Sequence, residues 1–371
     1  MYQYIMNPRV EAKSVAEDGD VLKFTLTGVN VSIANSIRRT ILSDIPCVVF
    51  KTSPNEENNS NILVNTSRFN NEIIKQRLSC IPIHINDLEM PLKNYLMEVH
   101  VENLTDTMLF VTTKDFKVKN LTTGDYLSEK DTQAIFPPCD QTGYYIDFLR
   151  LRPKISNEIP GEAIHLTCKF SISNAKDSGT FNVVSTCSYG YTLDDVRMEI
   201  ELGKKMKEWK DQGLKVEDIK FEAGNWKLLD GLRITKPDSF DYIIQTLGVF
   251  TNQELVQKAC DILIQRLTDV KDDDELQIVP SQNTMSNCYD ITLKNEDYTI
   301  GKAIEYMFYA RYFNDTQVLS YCGFQKMHPH DSDSIVRLAY KEVVDKAMIK
   351  GDLESCIESL TQILDKIKKA I

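Results

Sequence analysis

The chain has no uninterrupted apolar run of about 18 residues, so no membrane-spanning helix is expected. Its nine cysteines, Cys47, Cys80, Cys139, Cys168, Cys187, Cys260, Cys288, Cys322 and Cys356, include no C-x-x-C pair. An odd number of scattered thiols excludes a complete disulfide framework and a sequence-local zinc knuckle, and fits a reducing, intracellular compartment. The opening MYQYIMNPRVEAK holds no long apolar core, so no signal peptide is expected. The sequons at Asn58, Asn65 and Asn103 are then chance matches. Basic residues are the scarcer sign, 43 against 54 acidic, and a net charge of −11 argues against gripping nucleic acid as the main task. G-x-S-x-G, Walker and G-x-G-x-x-G patterns are all absent, so neither a nucleophile elbow nor a phosphate cradle is predicted.

What the chain does have is length and one repeated stretch. Its 371 residues, 42% apolar and 26% charged, suffice for two or three ordinary domains with cores. From Phe24 to Pro46 runs FTLTGVNVSIANSIRRTILSDIP. Phe24 and Leu26 alternate with Thr25 and Thr27 as in a strand, and Ser32 is placed to cap a following helix. Ile33, Ile37 and Ile41 then share one helix face, Ile45 extends the stripe, and Pro46 stops it. Ile291 to Phe313, ITLKNEDYTIGKAIEYMFYARYF, repeats this unit at an ungapped offset of 267 residues. Leu26 then matches Leu293, Ser32 matches Thr299, Ile33 matches Ile300, Ala34 matches Gly301, Ile37 matches Ile304 and Ile41 matches Phe308. Burying three such side chains is worth roughly 5–9 kcal/mol per helix. Neither short helix buries its stripe alone. The expected fold is therefore α+β, with two related halves packed as an intrachain pseudo-dimer through Ile33, Ile37, Ile41, Ile300, Ile304 and Phe308.

The rest of the chain is organised around these copies. Residues 1–29 read as strands with a turn at Asp18-Gly19-Asp20, and Cys47 to Phe50 as a short strand. Ser67 is placed to cap a helix carrying Phe69, Ile73, Ile74, Arg77 and Leu78. From about Lys93 to Ile172, short alternating runs and turn signals predict a β-rich segment. Thr192 with Asp195 opens a charged helix to about Asp211, and Ser239 to Gly248 reads as a strand. The capping box Thr251-Asn-Gln-Glu254 starts another helix, and the acidic run Asp272–Glu275 reads as a linker. Strands at Val318–Phe324 and Ser334–Tyr340 follow, then a final helix with a seam of Leu353, Ile357, Leu360, Leu364, Ile367 and Ile371. The domains implied are 1–48 with 186–272, an inserted 49–185, and 273–371.

Candidate chemistry is sparse. His328-Pro-His330-Asp331 is the tightest His/acid cluster, but it has neither helical spacing nor a third ligand nearby and reads as a polar turn. Consecutive carboxylates at 272–275 point in different directions, which suits a solvated linker better than a two-metal site. Arg38 and Arg39 sit side by side on the first repeated helix, as solvated charges or as interface ion-pair donors. Arg150, Arg152 and Lys154 form a basic stripe that favours an acidic protein partner in so acidic a chain. No catalytic, cofactor-binding or metal-binding residue is assigned.

NSIRRTILSDIP, Asn35 to Pro46, resembles the signature helix of the alpha-like RNA polymerase subunits: the bacterial alpha amino-terminal domain, the archaeal D subunit and the third-largest subunit of eukaryotic polymerase II. Phe69-Asn-Asn-Glu72 through Arg77-Leu78-Ser-Cys-Ile81-Pro82 is similar to the family's second element. So are Gly161 to Lys169 and Ala175 to Tyr191 to its return from an inserted domain, and Lys236 to Gly248 to its closing segment. From about Glu275 the chain resembles the partner, the archaeal L or eukaryotic eleventh subunit. Glu296-Asp297-Tyr298-Thr299-Ile300-Gly301 and Gly323-Phe324-Gln-Lys-Met327-His328-Pro329 carry that resemblance, with Tyr298 where the family usually has histidine.

The resemblance implies a fusion of both partners, as in polymerases of large DNA viruses. It implies a non-catalytic subunit of a DNA-directed RNA polymerase that scaffolds the two largest subunits and binds small ones, with DNA reached only through the complex. It places large-subunit contacts at Arg38, Arg39, Phe69, Glu72 and Arg77, and the complex in host cytoplasm or packaged in a virion. Cys80, Cys139 and Cys168 are too scattered for the metal cluster many relatives carry in the inserted domain. A stand-alone dimerisation scaffold or adapter is the alternative reading.

Overall fold

The computed structural model describes residues 6–11, 15–156 and 160–371. Part of the strand expectation for 1–29, at residues 1–5 and 12–14, lies outside them. In chain order the strands β1 (Arg9–Val10), β2 (Ala16–Asp18) and β3 (Val21–Thr27) lead into helix α1 (Val31–Ser43). Next come β4 (Cys47–Val49), β5 (Ser60–Asn65), α2 (Asn71–Ser79), β6 (Tyr95–Glu102), β7 (Leu109–Thr112), β8 (Lys117–Asn120) and α3 (Glu129–Ile135). They are followed by β9 (Asp147–Leu151), β10 (Ala163–Lys169), β11 (Ser171–Ser173), β12 (Val184–Leu193), α4 (Asp195–Asp211) and α5 (Val216–Leu228). The chain closes with β13 (Thr235–Thr246), α6 (Asn252–Lys271), β14 (Ile278–Pro280), β15 (Cys288–Leu293), α7 (Tyr298–Phe308), β16 (Leu319–Gln325), β17 (Ser334–Tyr340) and α8 (Lys346–Ala370). This is a mixed α+β chain.

By contacts the chain divides into two compact units. The first takes residues 1–40, 186–245 and 256–371, and the second 41–185 with 246–255. Residues 273–371 thus share a unit with the first 40 residues. The boundary at residue 40 precedes the residue 48 read from sequence, because β4 is paired with β11, Val49 opposite Ser171. Residues 246–255 join the second unit partly through the Leu247 amide, which donates to the Val183 carbonyl.

The first unit holds two antiparallel sheets of matching order, β1-β3-β13-β12 and β14-β15-β17-β16. Period-2 alternation builds both. Leu22, Phe24 and Leu26 on β3 are buried, as are Phe240, Tyr242 and Ile244 on β13, and the Phe24 and Tyr242 rings stack at 4.9 Å. Register repeats as well as order. Phe24 lies opposite Tyr242, and Ile291, its counterpart 267 residues on, lies opposite Val336, 94 residues beyond Tyr242. The same offset of 94 carries the Thr251 cap of α6 onto the Asp345 cap of α8, and buried Leu255, Ala259 and Leu263 onto buried Ile349, Leu353 and Ile357. Each sheet therefore feeds two helices from matching strands.

The second unit is a four-stranded antiparallel sheet, β5-β10-β6-β8, with the ribbons β7-β9 and β4-β11. The aromatic centre of its core is Phe116, set edge-on to Phe136 at 5.3 Å and to Phe148 at 5.4 Å. Gly161 is required there, since a Cβ would sit 1.7 Å from the Asn103 carbonyl oxygen. Cys80 and Cys139 are exposed, Cys322 is half-buried and the other thiols are buried; burial pushes Cys168 and Cys187 up to about 12.

Several local readings need correction. Asn30, not Ser32, caps α1: its side chain accepts from the Ser32 amide at 2.9 Å. Asp297, not Thr299, caps α7, accepting from the Thr299 amide at 2.9 Å. The caps thus move two residues upstream in both copies and keep the offset of 267. The turn before each cap needs a left-handed residue, supplied by Gly28 (φ 73°) and Asn295 (φ 56°) at that same offset. Asn70 rather than Ser67 caps α2, and Asp194 rather than Thr192 caps α4. The Thr192 hydroxyl instead donates to Asp241 on the neighbouring strand β13, because β12 runs on through Leu193. In each case an Asx side chain nearer the first free amides displaces the hydroxyl candidate. After Phe308 the second repeated helix widens to a π-helix over Tyr309–Asp315.

Candidate functional site

The site is the seam between residues 31–40 of α1 and 256–271 of α6, from the amino-terminal part of the sequence, and α7 and α8 from the carboxy-terminal part, all within the first unit. Ile33, Ile37, Ile300, Ile304 and Phe308 are buried on their helices, and Ile41 is buried too although it is assigned to the second unit. Ile33 and Ser36 of α1, Leu263 and Leu267 of α6, Thr299, Ile300 and Ala303 of α7, and Leu360 and Leu364 of α8 surround a void of only about 10 Å³. That is at the lower limit for one water, so the four helices are close-packed there.

Polar groups pin the register of this apolar seam. The Ser36 hydroxyl lies 2.5 Å from the Thr299 carbonyl oxygen and 2.8 Å from the Ser32 carbonyl oxygen. Arg39 donates from Nε to the Thr299 hydroxyl at 2.9 Å and from Nη2 to Asp297 Oδ2 at 2.7 Å. From α6, Arg266 grips Glu296 with both Nε (3.0 Å) and Nη2 (2.5 Å), and Nη2 lies 3.8 Å from Asp297 Oδ1. Two arginines of the first part of the chain therefore close on the consecutive acids Glu296-Asp297 of the second. A fork-to-fork guanidinium–carboxylate pair fixes angle as well as distance. Burial, the largest single influence on Asp297, opposes its ionisation. The Thr299 amide and hydroxyl, with Arg39 and Arg266, outweigh burial and hold the carboxyl below its ordinary range.

Gly301 belongs to the same motif. A Cβ there would meet the Phe324 ring of β16 at 1.9 Å, so only glycine lets α7 lie flat on that aromatic. Gly301→Val is expected to cost about 2–3 kcal/mol by overpacking, read as a lowered urea midpoint at unchanged slope.

The other residues singled out by sequence lie elsewhere. Arg38, next to Arg39, points away from that contact: Nε and Nη2 donate to Asn35 Oδ1 at 3.0 and 2.9 Å. Its charge also lies near Cys187 and Tyr189 of β12. In the second unit, the Arg77 guanidinium sits 5.6 Å over the half-exposed Phe69 ring while donating to the Phe148 and Asp147 carbonyls at 2.6 and 2.8 Å. Glu72 is exposed in the first turn of α2, and exposed Ile73 follows it. His328 and His330 are exposed on a turn, with rings 5.2 Å apart, and among the described residues no group of three His, Cys, Asp or Glu is placed to hold a metal. The acidic run at 272–275 folds back on Lys294, which lies 3.4 Å from Asp273 and 3.3 Å from Glu275.

Sequence reasoning missed Arg266 and Ser36. The available signal was a charge and a hydroxyl beside apolar stripes, Arg266 between Leu263 and Leu267 and Ser36 beside Ile37.

Comparison with known proteins bears on the part of the chain that carries α1 and α6. Residues 23–267 match the family described as the RNA polymerase Rpb3/Rpb11 dimerisation domain. The DNA-directed RNA polymerase subunit Rpo3 of Picrophilus torridus is 25% identical over 175 residues, 46% of this chain and 59% of that protein. The subunit rpac1 of RNA polymerases I and III of Dictyostelium discoideum is 25% identical over 201 residues, 47% of this chain and 50% of that protein. The chain thus spans less than two thirds of the length of these two relatives. Rpo3 of Pyrococcus furiosus is 23% identical over 273 residues, 69% of this chain and 94% of that protein. With the domain matched over well more than half of its residues, the chain belongs to the RNA polymerase Rpb3/Rpb11 dimerisation-domain family.

Proposed function

We propose that this chain is a non-catalytic assembly platform of a multisubunit DNA-directed RNA polymerase. In this reading two family-like halves fused in one polypeptide form a pseudo-dimer, with the second unit inserted into the first half. The observation that carries it is the closure of Arg39 and Arg266 on Glu296 and Asp297, between strand–helix units that repeat in one strand register. Fusion replaces a bimolecular association by a tethered one, so the seam forms at high effective concentration. The carboxy-terminal half corresponds to the smaller partner, and Arg39 serves as an internal clamp.

The surface left over seats the two largest subunits, which supply catalysis, and smaller subunits join them. Arg38 and the Phe69, Glu72 and Arg77 cluster are the contacts proposed for the large subunits. DNA is reached through the complex alone. A large DNA virus polymerase, working in host cytoplasm and packaged in the virion, is the setting that suits a fused chain.

The test is co-purification of the tagged full chain from its native source. Recovery of two large polymerase subunits with the wild type, reduced at least tenfold by Glu72→Lys with Arg77→Glu in a chain that keeps its unfolding midpoint, is the expected result. A stand-alone dimerisation scaffold is the reading left if no large catalytic chain is recovered. Undiminished recovery with the variant would move the contact elsewhere.

A further inference from the structure

The ribbon β7-β9 in the second unit has one face in the core and one face open. Val111, Leu149 and Leu151 fill the inner face and are buried. On the outer face Phe110 stands opposite Arg150, whose guanidinium lies 4.7 Å over the ring centroid. Met108 and Arg152 extend the same two strands by one further position, and both are exposed. In the flanking segments lie exposed Leu104, Lys154 and Ile155, and the Lys154 amide donates to the Thr105 carbonyl at 3.2 Å, joining the two segments. The outer face therefore carries an apolar column, Phe110 and Met108, beside a cationic one, Arg150 and Arg152.

The cations are held in place. Arg152 donates from Nε to Glu162 Oε1 at 2.5 Å, and its own amide donates to Oε2 of the same buried carboxylate at 2.7 Å. Arg150 is stacked on Phe110 and lies 3.6 Å from Asp147. Guanidiniums positioned in advance lose less entropy on binding a carboxylate. The basic excess on this face contrasts with a chain of net charge −11.

We propose that the outer face of this ribbon docks an extended acidic segment of another protein, in which carboxylates alternate with aliphatic or aromatic side chains. The carboxylates meet Arg150 and Arg152, and the apolar side chains lie on Met108, Phe110 and Leu104. A strand's period of two matches a column spacing of this kind. A nucleic-acid strand fits less well: the face offers its bases a single aromatic ring, Phe110, already covered by Arg150, and the acidic chain repels a polyanion. The proposal does not depend on the polymerase reading.

The test is fluorescence anisotropy on the full chain. The probe is a fluorescein-labelled peptide of about 12 residues alternating Glu with Leu and Phe, run beside its Glu→Gln analogue and an oligouridine of equal length. Saturable binding of the acidic peptide is expected, weakened at least tenfold by Arg150→Glu, retained in part by Arg150→Lys, and falling as salt rises. Phe110→Ser should weaken it as well. Both sites are exposed, so far-ultraviolet circular dichroism should be unchanged in the variants. Equal binding of the Gln analogue, indifference to Arg150→Glu, no saturable binding, or tighter binding of oligouridine would each overturn the proposal.

Discussion

Arg266→Ala is expected to destabilise the chain by about 3–5 kcal/mol, the usual loss when one partner of a buried ion pair is removed. Glu296 is only 8% exposed, and without the guanidinium its carboxylate stays in the seam with its main neutralising charge gone. The effect should appear as a drop in the urea midpoint of the full chain with little change in slope. Arg266→Ala combined with Glu296→Gln should recover part of the loss, since the stranded charge is then removed. Arg266→Met with Glu296→Leu should come close to wild type, because apolar side chains of similar volume escape the desolvation that the ion pair suffers. A loss under about 1 kcal/mol for Arg266→Ala would mean that the pair is solvated.

The neighbouring Asp297 adds a pH dependence of known sign. Its carboxyl titrates below its ordinary value in the folded chain, so the folded state favours the charged form. Its contribution is present above the unfolded pKa of about 4 and is lost as pH falls through the lower folded value. Asp297→Asn keeps a side-chain oxygen for capping α7 and should flatten the acid limb of the stability curve. An acid limb identical to wild type would remove Asp297 from that linkage.

Ile37→Asp is expected to be the most damaging single change, at about 4 kcal/mol or more. Ile37 is 1% exposed in the middle of the α1 stripe. The substitution removes the packing of a branched side chain, itself worth about 2–5 kcal/mol, and puts a carboxylate into an apolar seam. A marginally stable chain should then fail to fold cooperatively and accumulate in the insoluble fraction. Ile37→Val, which deletes one methylene, should cost about 1 kcal/mol and stay soluble, which separates burial from a general intolerance of the site. Soluble Ile37→Asp with a cooperative wild-type unfolding transition would show that this face is not core.

The gap between pattern and structure is clearest in particular elements. Ile33, Ile37 and Ile41 announced α1, and the offset of 267 announced α7, because burial of apolar side chains leaves a periodic trace within a few residues. The α6 capping box was readable for the same local reason: Thr251 and Glu254 are three residues apart, and each satisfies an amide near the other. Helix α5 left no such trace. Val216, Phe221 and Leu228 are exposed while Ile219 is buried, so apolar residues fall on both sides and the period is lost. The shifted caps at Asn30, Asn70, Asp194 and Asp297 turned on a choice between two good capping residues two or three positions apart, which the end of the preceding strand or turn decides.

Sequence by itself determined that this chain is an α+β protein built on a repeated strand–helix unit, and it marked the apolar stripes that α1 and α7 bury. Only tertiary structure decided that Arg39 turns onto Asp297 while Arg38 turns to Asn35, and that Arg266 meets Glu296. It also decided that β13–α6 and β17–α8 repeat each other with little shared sequence. Hydrophobic burial is non-directional and is recorded in local spacing. An ion pair depends on two side chains far apart in the chain arriving at one place and angle, and no local pattern encodes that meeting.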